Sequence, residues 1–204
     1  MESRGKSTLE LHLPVIYEQL IYHYPHSKNM GSCLSSPIER RVMMIGLDRV
    51  GKTTILFKFR FGDIEHAIPS IGLGVETLEH KGICLNVWDL GGQEKILPVW
   101  RHFYEKAQGI IFVIDSTDRD RLEVAKVELQ KILHENLLCD AAILIYANKQ
   151  DLSNVMTASE LTESLGLCSE TSHEWKIQPC CALTGAGLDE GFNWLKSTIE
   201  NKYR

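Results

Sequence analysis

The apolar run RVMMIGL (Arg41–Leu47) leads directly into GLDRVGKTT (Gly46–Thr54) and then ILFKF (Ile55–Phe59). No other stretch constrains the fold as strongly. A buried strand has to turn sharply through two glycines and continue as a helix. That places Lys52 in the helix's first turn, where the backbone already carries roughly half a unit of positive charge, so a cation there is unfavourable by itself. The spacing fits G-x-x-x-x-G-K-[ST] in its required strand-then-helix setting. Glycines at both ends let the backbone bend and turn several N–H groups inward around an anion. A triphosphate above the helix end makes Lys52 favourable and lets Thr53 offer its hydroxyl to Mg²⁺. The candidate phosphate-binding residues are Gly46, Leu47, Asp48, Arg49, Val50, Gly51, Lys52, Thr53 and Thr54. The plain alternative is a glycine turn with a solvated lysine. Average residue usage yields this pattern by chance in well under about 1% of chains this long, so phosphate binding is preferred.

The rest of the chain repeats the same alternation. Apolar runs near 40–46, 73–79, 83–89, 109–115, 141–147 and 174–179 read as strands. Helix-period segments lie near 52–60, 95–106, 119–135, 157–165 and 188–201. In the helix near 119–135, Leu122, Val127, Leu129, Ile132 and Leu133 are placed near one face. Gly82 between two strand runs predicts a hairpin, pairing 73–79 and 83–89 antiparallel. The remaining β-α-β units predict an α/β domain: a six-stranded, mostly parallel sheet with one antiparallel edge hairpin and helices on both faces. The composition shift at MGSCLSSP (Met30–Pro37) separates an N-terminal extension, 1–37, from a single domain, 38–204.

Composition bounds the function. With 204 residues and 44% hydrophobic content, the chain can bury one good core. A net charge of −5 and a pI near 5.9 argue against broad nucleic-acid binding. The six cysteines (33, 84, 139, 168, 180, 181) form no CxxC pair and mostly adjoin apolar runs. Buried thiols in a reducing compartment are therefore expected rather than disulfides or zinc. The eight histidines show no metal-ligand spacing. No run approaches the roughly 18 apolar residues that a membrane span needs. Pro14, Glu18 and His23 interrupt residues 9–24, against a cleavable leader.

Ligands of such sheets bind beyond the carboxyl ends of the strands, and three more motifs fall there. WDLGGQ (Trp88–Gln93) ends the hairpin's second strand. Asp89 suits a magnesium-holding carboxylate, usually acting through water. Gly92 can bring its N–H to a terminal phosphate, and Gln93 can orient a water for in-line attack. Alone, this would be a common loop; with the phosphate loop, the chemical reading is preferred. ANKQD (Ala147–Asp151) follows AAILIY. The Asp151 carboxylate can accept from the adjacent N1–H and N2 amine of guanine, whereas adenine would leave it unpaired. Asn148 can hold guanine O6 or the neighbouring loops, and the Lys149 stem can lie along the base. In CCALTG (Cys180–Gly185), Cys181 and Ala182 flank the base, with the Ala182 N–H placed to donate to O6.

In this order, GLDRVGKTT, PSIG, WDLGGQEK, NKQDL and CALTGAGL resemble the small GTPases, and within them the ADP-ribosylation factor (Arf) and Arf-like family, over about residues 38–204. The resemblance implies a Ras-like fold and a switch that binds GTP or GDP with Mg²⁺. It implies slow GTP hydrolysis assisted by an activating protein, an exchange factor for nucleotide release, and effectors that bind the GTP state. It further implies a cytoplasmic monomer with reversible membrane association, acting in vesicle traffic at the Golgi or other endomembranes. Some residues depart from the family pattern. PSIGLG (Pro69–Gly74) stands where the family has Pro-Thr-Ile-Gly-Phe-Asn, so Ser70 replaces the threonine that senses magnesium and γ-phosphate. Serine keeps the hydroxyl but loses rotamer stiffness, so the GTP-ordered loop is expected to be less populated. The apolar effector triad would be Leu73, Trp88 and Phe103; Trp88 and Phe103 read equally well as packing residues. Arg101 near the second switch could simply be a surface residue, and an arginine finger is expected in trans.

Met30-Gly31-Ser-Cys-Leu-Ser35 matches the N-myristoylation pattern, with Cys33 a site for a second acyl chain. The pattern operates only if translation begins at Met30; otherwise the preceding residues block it. One chain alone binds membrane only marginally. Leu9, Leu13, Ile16 and Leu20 form a helical stripe that Pro14 interrupts, and period-2 alternation fits the start of that stretch equally well. STDRDR (Ser116–Arg121) reads as a helix cap and solvated first turn. Glu39-Arg40-Arg41 reads as a solvated strand edge rather than a membrane-facing patch. Three functions follow: a GTP-hydrolysing switch, a GTP-binding adaptor with little hydrolysis because of Ser70, Leu73 and Gly74, and a P-loop kinase or ATPase, against which Asp151 argues.

Overall fold

The computed structural model describes residues 40–62, 104 and 107–203 in full, and the backbone of strands 74–80 and 83–89. All of them fall within the compact unit Pro37–Arg204. In chain order the elements are β1 (Arg40–Ile45), α1 (Lys52–Phe61), β2 (Gly74–His80), β3 (Ile83–Asp89) and β4 (Gly109–Asp115). They continue with α2 (Leu122–Leu133), β5 (Ala142–Asn148), α3 (Ala158–Ser164), β6 (Trp175–Pro179) and α4 (Leu188–Lys202). The strands form a six-stranded sheet in the order β2-β3-β1-β4-β5-β6. The hairpin β2/β3 is antiparallel, in register from Gly74↔Asp89 to His80↔Ile83, and the other described pairings are parallel. The expected hairpin and parallel sheet are both present. The segment near 95–106, expected as a helix, lies outside the described residues except for Tyr104, as do residues 1–37.

Every residue of β4 and β5 is buried. Successive strand side chains point to opposite faces, so an unbroken buried run means that both faces of the sheet are covered. That is why IIFVI and AILIY carry no alternation. β6 is only partly buried along its length, as an edge strand should be. Helix α4 packs through one stripe: Leu188, Gly191, Phe192, Leu195, Thr198 and Ile199 are buried at three- and four-residue spacing. It is pinned to β5 by Tyr146, whose hydroxyl donates to the Leu188 carbonyl at 2.6 Å. Helix α3 starts with a reciprocal capping box. Thr157 Oγ1 accepts from Glu160 N at 3.2 Å, and Glu160 Oε2 accepts from Thr157 N at 2.8 Å. The sequence pattern T-x-x-E signals it in advance.

Three expectations are corrected. Val127 is 45% exposed, while Ala125 and Glu128 join Leu129, Ile132 and Leu133 on the buried face of α2. Val127 sits two residues before Leu129, about 200° around the helix, and so faces away. The four described cysteines are free thiols but divide in burial: Cys180 and Cys181 are buried as expected, whereas Cys139 and Cys168 are exposed. Arg40 is not at a solvated edge, because β1 lies between β3 and β4. It is 8% exposed, donates to the Tyr203 carbonyl at 3.0 Å and lies 5.5 Å from the Tyr203 ring centroid. The first strand is thereby tied to the end of the last helix.

Gly187, which precedes α4, has φ +76°, and a Cβ there would meet the Pro179 carbonyl oxygen at 2.1 Å. Gly187→Ala is expected to cost about 2 kcal/mol or more, from left-handed strain plus displacement of the β6 end. Urea unfolding checks it: the midpoint should fall with an unchanged slope.

Candidate functional site

The loop between β1 and α1 is shaped by its glycines. Gly46 has φ +147°, and a Cβ there would lie 2.3 Å from the Val113 carbonyl oxygen of β4. Gly51 has φ +99°, and its Cβ would lie 2.3 Å from Asn148 Nδ2. Any side chain at either position would push the loop off the sheet or off the base-side loop. Gly51 is also the N-cap of α1 and, as a glycine, brings no side chain of its own to the helix's first amides. Lys52 is 5% exposed and folds back over the loop, donating to the carbonyls of Leu47 at 2.8 Å and Gly46 at 3.2 Å. Val50 and Leu47 are buried beneath, Arg49 is outermost with φ +61°, and Thr53 and Thr54 are half-buried in the first turn.

At the end of β5, Asn148 is 1% exposed, and both ends of its amide are engaged. Its Nδ2 donates to the Val50 carbonyl at 2.8 Å, and its Oδ1 accepts from the Ala182 N–H at 2.9 Å. Of the two roles open to Asn148, the structure shows the one of holding neighbouring loops. The Ala182 N–H, expected to face guanine O6, is used here to satisfy this buried amide, which could not be left unpaired cheaply. Lys149 has φ +68°, and its ammonium pairs with Asp115 Oδ2 at 2.6 Å. Asp151 is exposed, and its Oδ1 accepts from the Cys181 thiol at 3.1 Å. The Cys180 thiol is pushed far up by burial and by the neighbouring Cys181, so it stays protonated and inert.

Two residues outside the motifs support the site. Asp115 accepts from Thr117 N at 3.0 Å and Thr117 Oγ1 at 2.7 Å besides pairing with Lys149. Burial pushes its carboxyl up, but the bonds from Lys149 and Thr117 outweigh burial and hold it below its ordinary 3.8. Arg121 reaches Asp48 in the phosphate loop at 2.5 Å. The STDRDR segment is thus more than a solvated first turn, because its last arginine spans to another loop. Its partner is 73 residues away in the chain, so no local pattern could reveal the contact.

Asp89 lies at the end of β3, opposite Gly74 in the hairpin register. The side chains of Asp89 and Trp88 lie outside the described residues, as do Ser70, Leu73, Gly92, Gln93, Phe103, Gly31 and Cys33. The described residues therefore join the phosphate loop, the Asn148–Asp151 loop and the Cys181–Ala182 loop at the carboxyl ends of β1, β5 and β6. Together they can cradle an anion with amides and an ammonium group, and can present a carboxylate to a base.

Asn148→Ala should leave the Val50 carbonyl and the Ala182 N–H without partners, at a cost of about 1–3 kcal/mol for each unsatisfied group, measurable by chemical denaturation. A carboxyl whose folded value is depressed stabilises the fold above its unfolded value, and that stability is lost as pH falls through the folded value. Asp115→Asn should therefore be less stable than wild type at neutral pH. The difference should close as pH drops below about 4, and paired unfolding curves between pH 7 and 3 check it.

A profile of the ADP-ribosylation factor family matches residues 27–199. The structure of the Arl6 (BBS3) small GTPase from Trypanosoma brucei with bound nucleotide analogue GppNp is similar to this chain at 34% identity. Its TM-score is 0.75, and the match covers 80% of this chain and 99% of that one. With a family match over most of its length and a solved small GTPase similar to it at 34% identity, the chain belongs to the ADP-ribosylation factor/Arf-like family of small GTPases.

Proposed function

We propose that this protein is a guanine-nucleotide switch that binds GDP and GTP with Mg²⁺ and hydrolyses GTP slowly until an activating protein assists. One observation carries the proposal: a single buried amide, Asn148, joins the anion-cradling loop to both loops that would flank a base. A site built this way binds a phosphate chain and a base together, as a nucleoside polyphosphate requires. The related Arl6 protein carries the nucleotide analogue GppNp in its structure, which supports a nucleotide as the ligand.

In this reading, Lys52 and the amides of residues 46–54 hold the β- and γ-phosphates. The residues that would hold Mg²⁺ are hard oxygen donors, which suit it: Thr53 in the first turn of α1, Asp89 at the end of β3 and Ser70 in the first switch. The bound ion would neutralise phosphate charge. Gln93 orients the attacking water, whose oxygen bonds to the γ-phosphorus as the bond to the bridging oxygen breaks, releasing GDP and phosphate. The Gly92 N–H meets the γ-phosphate and loses that contact on hydrolysis, which releases the switch loops. Asp151 is exposed and able to accept from guanine N1–H and N2. An exchange factor, an activating protein and effectors at Leu73, Trp88 and Phe103 complete the cycle, with vesicle traffic as its setting. Acylation at Gly31, joined by Cys33, would supply reversible membrane attachment where translation begins at Met30.

Calorimetry of nucleotide-stripped protein with Mg²⁺ should give saturable GDP and GTP binding and none with ATP; no uptake of either guanine nucleotide overturns the proposal. Asp151→Asn should exchange GTP preference for XTP in a competition assay. Gln93→Leu should keep GTP affinity and slow hydrolysis by on the order of tenfold or more. Intact mass of protein from native cells checks the start site and the acyl group.

A further inference from the structure

Asp48 is an anomaly within the proposed site: a carboxylate inside a loop whose amides are arranged to hold an anion. The structure compensates for it from another element. Arg121 Nη1 lies 2.5 Å from Asp48 Oδ1, and Nη2 donates to the Asp48 carbonyl at 3.3 Å. Behind it, Arg121 Nε donates to Asp118 Oδ2 at 2.6 Å, and Asp118 Oδ1 accepts from the Arg121 N–H at 3.2 Å. All three guanidinium nitrogens are thereby used, so the group is held at both ends. Burial lowers the Arg121 pKa, but Asp118 and Asp48 outweigh burial and raise it, as a firmly paired cation requires. Leu47, Val50, Leu122 and Ala125 line a cleft together with Arg121 and Asp118. Arg49 is the other cation near Asp48, but at 3.8 Å and 88% exposed it contributes little.

We propose that Arg121 is a positioning residue for nucleotide retention: braced by Asp118, it draws the Asp48 carboxylate to the start of α2 and cancels its charge beside the bound phosphates. The same segment reaches the base side, where Asp115 pairs with Lys149 and Ser116 Oγ accepts from Gln150 Nε2 at 2.9 Å. Asp115, Ser116, Asp118 and Arg121 therefore act as a strut between the phosphate loop and the base loop, and loosening one end frees a loop that touches the nucleotide. The inference rests on the guanine-nucleotide reading above and deepens it.

The test is the release rate of a fluorescent GDP from Mg²⁺-loaded protein, read together with thermal unfolding. Arg121→Gln should speed release by on the order of tenfold, because it leaves Asp48 uncompensated against the phosphates. That increase should shrink as salt is raised from about 0.05 to 1 M, since screening weakens the repulsion. Adding Asp48→Asn to Arg121→Gln should restore most of the slow release. Arg119→Ala, which removes a cation of the same segment that pairs with Glu160 instead, should release at the wild-type rate. Arg121→Lys, keeping the charge without the fork, should fall between wild type and Arg121→Gln, and serves if Arg121→Gln fails to fold. Release from Arg121→Gln within twofold of wild type, or no recovery in the double variant, overturns the proposal. If wild type takes up no guanine nucleotide, the functional reading itself fails and this inference falls with it; normal uptake with unchanged release sinks the inference alone.

Discussion

The site depends on one buried amide with both ends satisfied. Asn148 stands at the carboxyl end of β5, fully enclosed, with its nitrogen on the Val50 carbonyl and its oxygen on the Ala182 N–H. A buried amide with one end unpaired costs about 1–3 kcal/mol, so the three loops are tied into one arrangement. Gly51 has to be a glycine because that amide occupies the space where its side chain would be. The phosphate loop is therefore shaped by the base side as much as by its own sequence.

Around that amide, charge is arranged in pairs that span elements. Lys149 sits in a left-handed conformation that disfavours a side chain, and Asp115 on the next strand holds it there. The register Asp115↔Asn148 sets those two strand ends side by side. On the phosphate side, Arg121 pairs with Asp48 across two loops. Both supporting groups come from β4 and the turn after it, which contribute no residue to the motifs. The parallel sheet makes this possible because it brings the carboxyl ends of successive strands to one edge.

Much of the fold is legible in the chain because parallel strands buried on both faces must be apolar throughout, so β1, β4 and β5 announce themselves as runs. The hairpin follows from a glycine between two strand segments, and the glycine-lysine loop from the incompatibility of a lysine with a helix start that holds no anion. The misreadings share a cause. Apolar character alone puts Val127 on the inner face, but only the angle around α2 decides its exposure. Arg40 and Arg41 look like an edge because strand order is invisible in a linear chain; the ring and carbonyl that hold Arg40 are 163 residues away. Arg121 looks like surface for the same reason.

The sequence by itself determined the chemistry available: two glycines and a lysine that only an anion explains, a carboxylate suited to guanine, and an apolar alternation that admits one class of sheet. Those features are local, since they depend on backbone freedom, helix-end charge and side-chain period within a few residues. Tertiary structure decided which polar groups meet. It used the Ala182 N–H for Asn148, gave Lys149 to Asp115, and set Arg121 against a carboxylate on another loop. Such pairings follow from strand order and the close approach of strand ends, and no spacing along the chain encodes either.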